Sequence, residues 1–199
     1  MKIGKGWIIL IIVVVVIILL FSWGTGIYNK LVSQEEGVNQ AWANVENVYQ
    51  RRLDLIPNLV NTVQGVANFE KSTLTAVIEA RAKATSVQIN PKNLDEASLQ
   101  KFQEAQNNVS SALGRLMVVV EQYPQIKATQ NFSELQAQLE GTENRISVER
   151  MKFNEAAKAY NTYIRRFPAN IFAGMFGFQK KAYFEAQQGA EKAPEVKFE

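Results

Sequence analysis

Apolar positions divide this chain into two unlike stretches. From Trp7 to Trp23 it reads WIILIIVVVVIILLFSW, where only Ser22 and the two indoles carry a polar side-chain atom. At ~1.5 Å per residue, the two tryptophans of a helix here stand roughly 24 Å apart, near the two edges of a hydrocarbon core. Indoles at both ends make an aromatic belt. Lipid offers the backbone no hydrogen-bond partner, so the Ile/Val run is predicted to be helical. After Gly26 the pattern changes to a heptad. Leu31, Val38, Val45, Leu59 and Val66 share one register, broken only by Arg52, while Trp42, Tyr49, Ile56 and Val63 form the second. Together they predict one apolar seam along a long helix. The register passes Pro57 without a slip, which predicts a kink with a freed Leu53 carbonyl and no break.

A turn is expected from Gly65 to Phe69, with Asn68 capping a second helix whose inner face is Leu74, Val77, Arg81 and Ala84. Ser86 to Asp95 holds Asn90-Pro91 and reads as a loop. A third helix carries Leu99, Leu113 and Val120 on one register, interrupted by Gln106, and Phe102, Val109, Leu116 and Tyr123 on the other. A fourth has Leu139, Ile146, Phe153, Tyr160 and Phe167 at strict sevens and stops at Phe167-Pro168. Helices of about 38, 18, 28 and 35 residues predict an all-α chain. The architecture expected is one N-terminal transmembrane helix, then an elongated antiparallel four-helix bundle with long first and last helices. Its divisions are an anchor over 1–26, a bundle over 27–186 and a flexible polar tail over 187–199.

Lys2 and Lys5 also form the basic start of a signal peptide, the competing reading of the apolar segment. Its apolar run is long for that role, and no Ala-x-Ala site follows, so an uncleaved anchor is expected. Two lysines precede the span and only Lys30 follows closely, which places the N-terminus inside and the bundle on the exported side.

Composition narrows the chemistry. The chain has 199 residues, no cysteine and no histidine. That excludes disulfides, thiol nucleophiles, Cys/His metal sites, histidine-based triads and a histidine general base. Lys and Arg total 22 against 19 Asp and Glu, a net charge of +3, too mild for a dedicated nucleic-acid binder. Asp occurs only at 54 and 95, so no Asp-rich calcium loop exists. No phosphate-binding glycine loop or nucleotide fingerprint appears. The expectation is a non-enzymatic chain without a cofactor and without nucleic acid as a partner.

Several segments together resemble the LemA family. They include Tyr28-Asn29-Lys30-Leu31-Val32, Ala41-Trp42-Ala43-Asn44-Val45 and Arg51-Arg52-Leu53-Asp54-Leu55-Ile56-Pro57-Asn58-Leu59-Val60. Leu113-Gly114-Arg115-Leu116, Glu121-Gln122-Tyr123-Pro124, Glu143-Asn144-Arg145-Ile146, Tyr160-Asn161 and Phe167-Pro168 continue the likeness, which runs to about Glu185. Val66 and Phe69 depart from it, standing where relatives often carry tyrosine and histidine. The resemblance implies a bacterial membrane-anchored helical bundle with no established catalytic activity.

Two constellations stand out beside the anchor tryptophans, Trp7 and Trp23. Arg51, Arg52, Asp54 and Pro57 form the densest polar cluster next to the kink. They read either as a recognition hinge, with the freed carbonyl offered to a partner, or as a salt-bridge network that fixes helix register. Arg81, Arg115, Arg145 and Arg150 are expected on or near the inward faces, with Asp54, Glu79, Glu121, Glu143 and Glu149 as possible partners. The second constellation is the tail, with Phe172, Met175, Phe176 and Phe178 bounded by Lys180 and Lys181. It reads either as a cap on the open end of the bundle or as a surface for the membrane interface or a partner. The leading functional expectation is a scaffold or adaptor of the bacterial cytoplasmic membrane, with the bilayer and other envelope membrane proteins as partners. A lipid-handling or membrane-remodelling protein and a self-assembling homo-oligomer are the alternatives.

Overall fold

The computed structural model describes residues 5–65, 70–91 and 94–185. These residues are helical with no strand among them, in the order α1 (Lys5–Gln64), α2 (Lys71–Ser86), α3 (Glu96–Val120), α4 (Pro124–Lys127), α5 (Gln130–Arg165) and α6 (Ala169–Phe176). The Asn68 cap, the turn beyond Gly65 and the tail over 187–199 lie outside the described residues.

α1 is a single helix of 60 residues. It runs from the apolar segment through Gly24, Gly26 and Pro57, spanning ~90 Å at 1.5 Å per residue. Its first part is long and apolar enough to cross a membrane, and none of the most apolar window is buried against the rest of the chain. Its second part buries the predicted seam, with Leu31, Val38, Trp42, Val45, Ile56, Leu59 and Val63 all fully enclosed. Trp42 meets Phe153 at 5.7 Å and Arg52 meets Glu143 at 2.9 Å. Ten residues forward on α1 are thus ten residues back on α5, so the two helices run antiparallel. Against α3 the order is the reverse: Tyr49 meets Phe102, and Arg52 meets Gln106 and Ser110, so α1 and α3 run in the same direction.

Local sequence sets the ends. Asp95 caps α3 by accepting the Ser98 N–H at 2.7 Å, a bond that holds its carboxyl below the usual range. Tyr123-Pro124 ends α3, and Thr129 caps α5. α5 stops at Arg165 and Gly177 closes α6 with a left-handed φ of +77°. One residue departs from the periodic reading. Phe167, counted as the last apolar residue of the α5 seam, is 80% exposed because the helix has already ended two residues before it. A heptad count cannot register that ending.

The interior falls into two clusters. One gathers Leu31 to Tyr49 of α1 with Phe102, Phe153, Tyr160 and Phe184. The other gathers Leu53 to Val63 with Val77, Leu116, Ile126 and Phe132. Arg52 lies on α1 between them.

Candidate functional site

Arg52 is 2% exposed at a position the heptad reserves for an apolar side chain. One of its Nη atoms donates to the Gln106 side-chain oxygen at 2.6 Å and to the Gln106 carbonyl at 3.2 Å. The other donates to Ser110 at 3.0 Å and to the Glu143 carboxylate at 2.9 Å. The guanidinium also lies over the Tyr49 ring, 5.1 Å from its centre. Arg52 and Gln106, each a break in the apolar register of its own helix, therefore meet each other. Glu143 keeps over half of its side chain in solvent, so this ion pair is not sealed from water and carries a reduced desolvation penalty.

The rest of the hinge cluster does not gather around Arg52. Arg51 and Asp54 are exposed, and Asp54 accepts a hydrogen bond from Gln50 at 2.8 Å, a neighbour one helical turn away. Pro57 is half-buried within α1. The carbonyl of Leu53, which lacks a helical donor because Pro57 has no N–H, accepts the Arg81 Nε–H at 2.8 Å. Arg81 on α2 thereby fills the gap the proline leaves, and the freed carbonyl has its partner inside the chain.

A groove of about 540 Å³ opens beside this junction, between α1 and the chain that follows α2. Glu46, Gln50, Thr85, Gln88 and Gln106 give it polar walls, with Leu53 and Phe102 at the floor. Burial raises the Glu46 carboxyl above its ordinary range, with the Trp42 indole opposing the rise, and burial likewise raises the Tyr49 hydroxyl. Among the described residues no three Asp or Glu side chains converge to hold a metal ion.

The chain after α6 forms a strap that the periodicity did not announce. Asn161 accepts the Lys181 N–H at 2.9 Å and donates to the Lys181 carbonyl at 2.8 Å. Asn154, seven residues earlier on α5, does the same for Phe184 at 2.8 and 2.9 Å. Two helical turns of α5 span ~10.5 Å, which matches three residues of extended chain, ~10 Å. The two amides thus stand in for a neighbouring strand. Phe184 stacks on Trp42 at 6.0 Å, meets Phe153 at 5.3 Å and lies beneath the Arg150 guanidinium. Lys181 is 2% exposed, paired with Glu35 at 3.0 Å and placed over the Tyr160 ring. The Tyr160 hydroxyl is buried without a hydrogen-bond partner, and burial pushes its ionisation above the usual tyrosine range, with Glu35 adding to the rise. Glu35 and Asn154 escaped the sequence reading, whereas Phe184 was expected to add to the packing of a tail folded back on the bundle. Asn154 and Asn161 share a heptad spacing, but that spacing marks only a common face of α5 and says nothing of the chain that crosses it.

α6 stands beside the C-terminal end of the apolar segment. Phe172 meets Trp23 edge-on at 6.4 Å, and Phe176 meets Tyr28 at 4.8 Å. Four residues along α6 thus keep step with five along α1, so the two run side by side in the same direction. Gly24 lies beneath this contact, and a Cβ there would press on the Phe172 ring at 3.3 Å. Ala169 and Ala173 are buried toward the bundle, Phe178 packs on Tyr28, and Met175 and Phe176 remain exposed. Trp7, at the other end of the apolar segment, is exposed and far from this group in sequence.

Comparison with known proteins gives a consistent result. The profile of the LemA family matches residues 41–198. The chain is 28% identical over 183 residues to Magnetosome protein MamQ 2 of Paramagnetospirillum magneticum, covering 82% of this chain and 66% of that protein. It is 26% identical to Magnetosome protein MamQ of Magnetospirillum gryphiswaldense, with the same shares covered. It is 23% identical over 163 residues to Protein LemA of Metamycoplasma hominis, covering 82% of this chain and 71% of that protein. The chain thus spans just under two thirds of the length of the magnetosome relatives.

Proposed function

The chain belongs to the LemA family, and we propose that it is a non-enzymatic, membrane-tethered helical scaffold or adaptor of the bacterial cell envelope. In this reading the apolar part of α1 is the single anchor in the cytoplasmic membrane, and a four-helix bundle of α1, α2, α3 and α5 stands on the exported side. The observation that carries it is the continuity of α1. One unbroken helix enters the core of the bundle directly from the apolar segment, so the bilayer fixes where the whole soluble part is held. Such a tether raises the local concentration of whatever the bundle faces bind, without chemistry of its own. The distribution of polar groups supports this reading. The buried cations Arg52 and Lys181 are engaged with partners from other parts of the same chain, as structural polar groups are.

The groove between α1 and the segment after α2 is where an envelope protein would bind. A photo-reactive residue at Gln50 or Gln88, both exposed on its walls, tests this in intact cells with the full chain. A discrete crosslinked protein that disappears when Glu46 is changed to Lys supports the adaptor reading. Crosslinks only to the chain itself at both positions overturn it. So does a turnover activity that is lost in Glu143→Gln while helical content is kept.

A further inference from the structure

The end of the bundle next to the anchor carries an apolar surface that the chain does not cover. Phe167, Ile171 and Met175 recur every fourth residue along and just before α6, and they are 80%, 51% and 72% exposed. Ile171 and Met175, four apart, share one face of α6, and Phe167 stands exposed in the turn just before it. The opposite side of α6 is satisfied, since Ala169 and Ala173 are buried and Phe172 meets Trp23. Between α6 and α1 lies a groove of about 610 Å³, walled by Ile17, Leu20, Phe21, Gly24, Phe172 and Phe176. Three of these belong to the apolar run that crosses the membrane, so the groove and the row continue the lipid-facing surface of the anchor.

Charge at this end points the same way. No Asp or Glu precedes Glu35, and none occurs from Ala156 through Phe184. Lys30, Arg165, Arg166 and Lys180 are exposed there. An apolar helix face at the boundary of a membrane span, edged by cations and free of carboxylates, has the composition of an interfacial element that meets anionic headgroups.

We propose that α6 is a second membrane contact: a site for anionic phospholipid on the leaflet the anchor exits. Acyl chains fill the α1–α6 groove and cover the Phe167–Ile171–Met175 row, while Lys30, Arg165, Arg166 and Lys180 hold the headgroups. The bundle is then seated on the leaflet at two points and does not swing from α1 alone. This goes beyond the adaptor reading and stands apart from it, because the adaptor groove involves none of these residues.

The absence of cysteine makes the test direct. The full chain with Met175→Cys, and separately Ile171→Cys, is labelled with a polarity-sensitive fluorophore and reconstituted into phosphatidylcholine vesicles containing phosphatidylglycerol. Val118→Cys, at an exposed position on α3 far from the anchor, serves as the reference. Brominated lipid is expected to quench both α6 labels by roughly two-fold or more and to leave the Val118 label unchanged. Brominated phosphatidylglycerol is expected to quench more strongly than brominated phosphatidylcholine at equal content. That preference should vanish when Arg165, Arg166 and Lys180 are all changed to Gln. Labels at 171 and 175 that behave like the one at 118 overturn the proposal. Labels that are dry but unquenched, with energy transfer between copies, overturn it in favour of a second copy of the chain. Equal quenching by the two lipids overturns the anionic recognition.

Discussion

Arg52 is a charged side chain inside the core, 2% exposed, and Met175 is an apolar one outside it, 72% exposed. Each sits where simple burial would not put it. Around Arg52 the chain has built a reply: Gln106 breaks the α3 seam at the matching height, Ser110 adds an acceptor and Glu143 supplies the opposite charge. Around Met175 there is no such reply, although the inner side of the same helix is well packed. Burying an apolar side chain of this size is worth ~1.5–3 kcal/mol, so a row of three left in water is a substantial sum forgone. The difference teaches how to sort anomalies. A misplaced residue with an internal partner is structural, and one without a partner points to the surroundings.

The strongest challenge to this contrast is removal of the Arg52 charge. Arg52→Met is expected to lower the unfolding free energy by about 3 kcal/mol, because the buried Gln106 amide and its carbonyl both lose a charged donor. Arg52→Leu combined with Gln106→Leu restores the heptad on both helices and should recover most of that loss. Glu143 is largely exposed and remains solvated in the double variant. Urea unfolding of the full chain in detergent, followed by circular dichroism, measures both. A double variant no better than the single one would mean that the junction specifies more than local register.

A second, smaller effect concerns Leu53, Pro57 and Arg81. Arg81→Ala should cost about 1–2 kcal/mol by leaving the Leu53 carbonyl without a donor. In a Pro57→Ala background residue 57 regains its N–H and can bond that carbonyl, so the same Arg81 substitution should cost less than half as much. Additive losses in this double-mutant cycle would show that Arg81 acts by its packing and not by replacing the missing helical bond.

These two sites also mark how far the residue pattern reaches. The seam residues of α1, α3 and α5 were readable because burial imposes a period, and Arg52 and Gln106 were visible as gaps in it. That the gaps face each other was not readable, since the offset between α1 and α3 is fixed by tertiary packing. The Leu53 carbonyl was readable as an orphan from Pro57 alone, whereas its donor, Arg81, is 28 residues away on another helix. The strap was hidden for a different reason. Its backbone pairs with the Asn154 and Asn161 side chains, which leaves neither a strand alternation nor a helical period. In the tail, Phe172, Met175, Phe176 and Phe178 stood out as an apolar group, but only the structure divides them into those that face the chain and those that do not.

Tyr160 offers an intermediate case, a buried hydroxyl that has no partner. Its ionisation is raised above the model-compound value of 10.0, chiefly by burial. The folded state therefore holds the phenolic proton more tightly than the unfolded one. Stability is retained below that value and falls as the pH rises above it, by up to ~1.4 kcal/mol per pH unit for this group. Tyr160→Phe should be neutral or stabilising by up to about 1 kcal/mol at neutral pH, since nothing accepts or donates to the hydroxyl. It should also move the alkaline unfolding transition upward. A downward shift would reveal a hydrogen bond to the hydroxyl that stabilises the fold.

The smallest expected effect on folding is the most informative about the exposed side of the comparison. Met175→Ser replaces an apolar side chain that touches little of the chain, so in detergent it should alter the unfolding free energy by less than about 0.5 kcal/mol. Ala173→Ser, two residues away on the buried side of α6, places a hydroxyl where Ala173 is 4% exposed and should cost about 1–3 kcal/mol. If Met175→Ser were as damaging as Ala173→Ser, the row would belong to the core and its exposure would carry no message. With the predicted disparity, selection for folding cannot account for three large apolar side chains in water beside the anchor. Their reason must then lie in whatever covers that face once the chain is in its membrane.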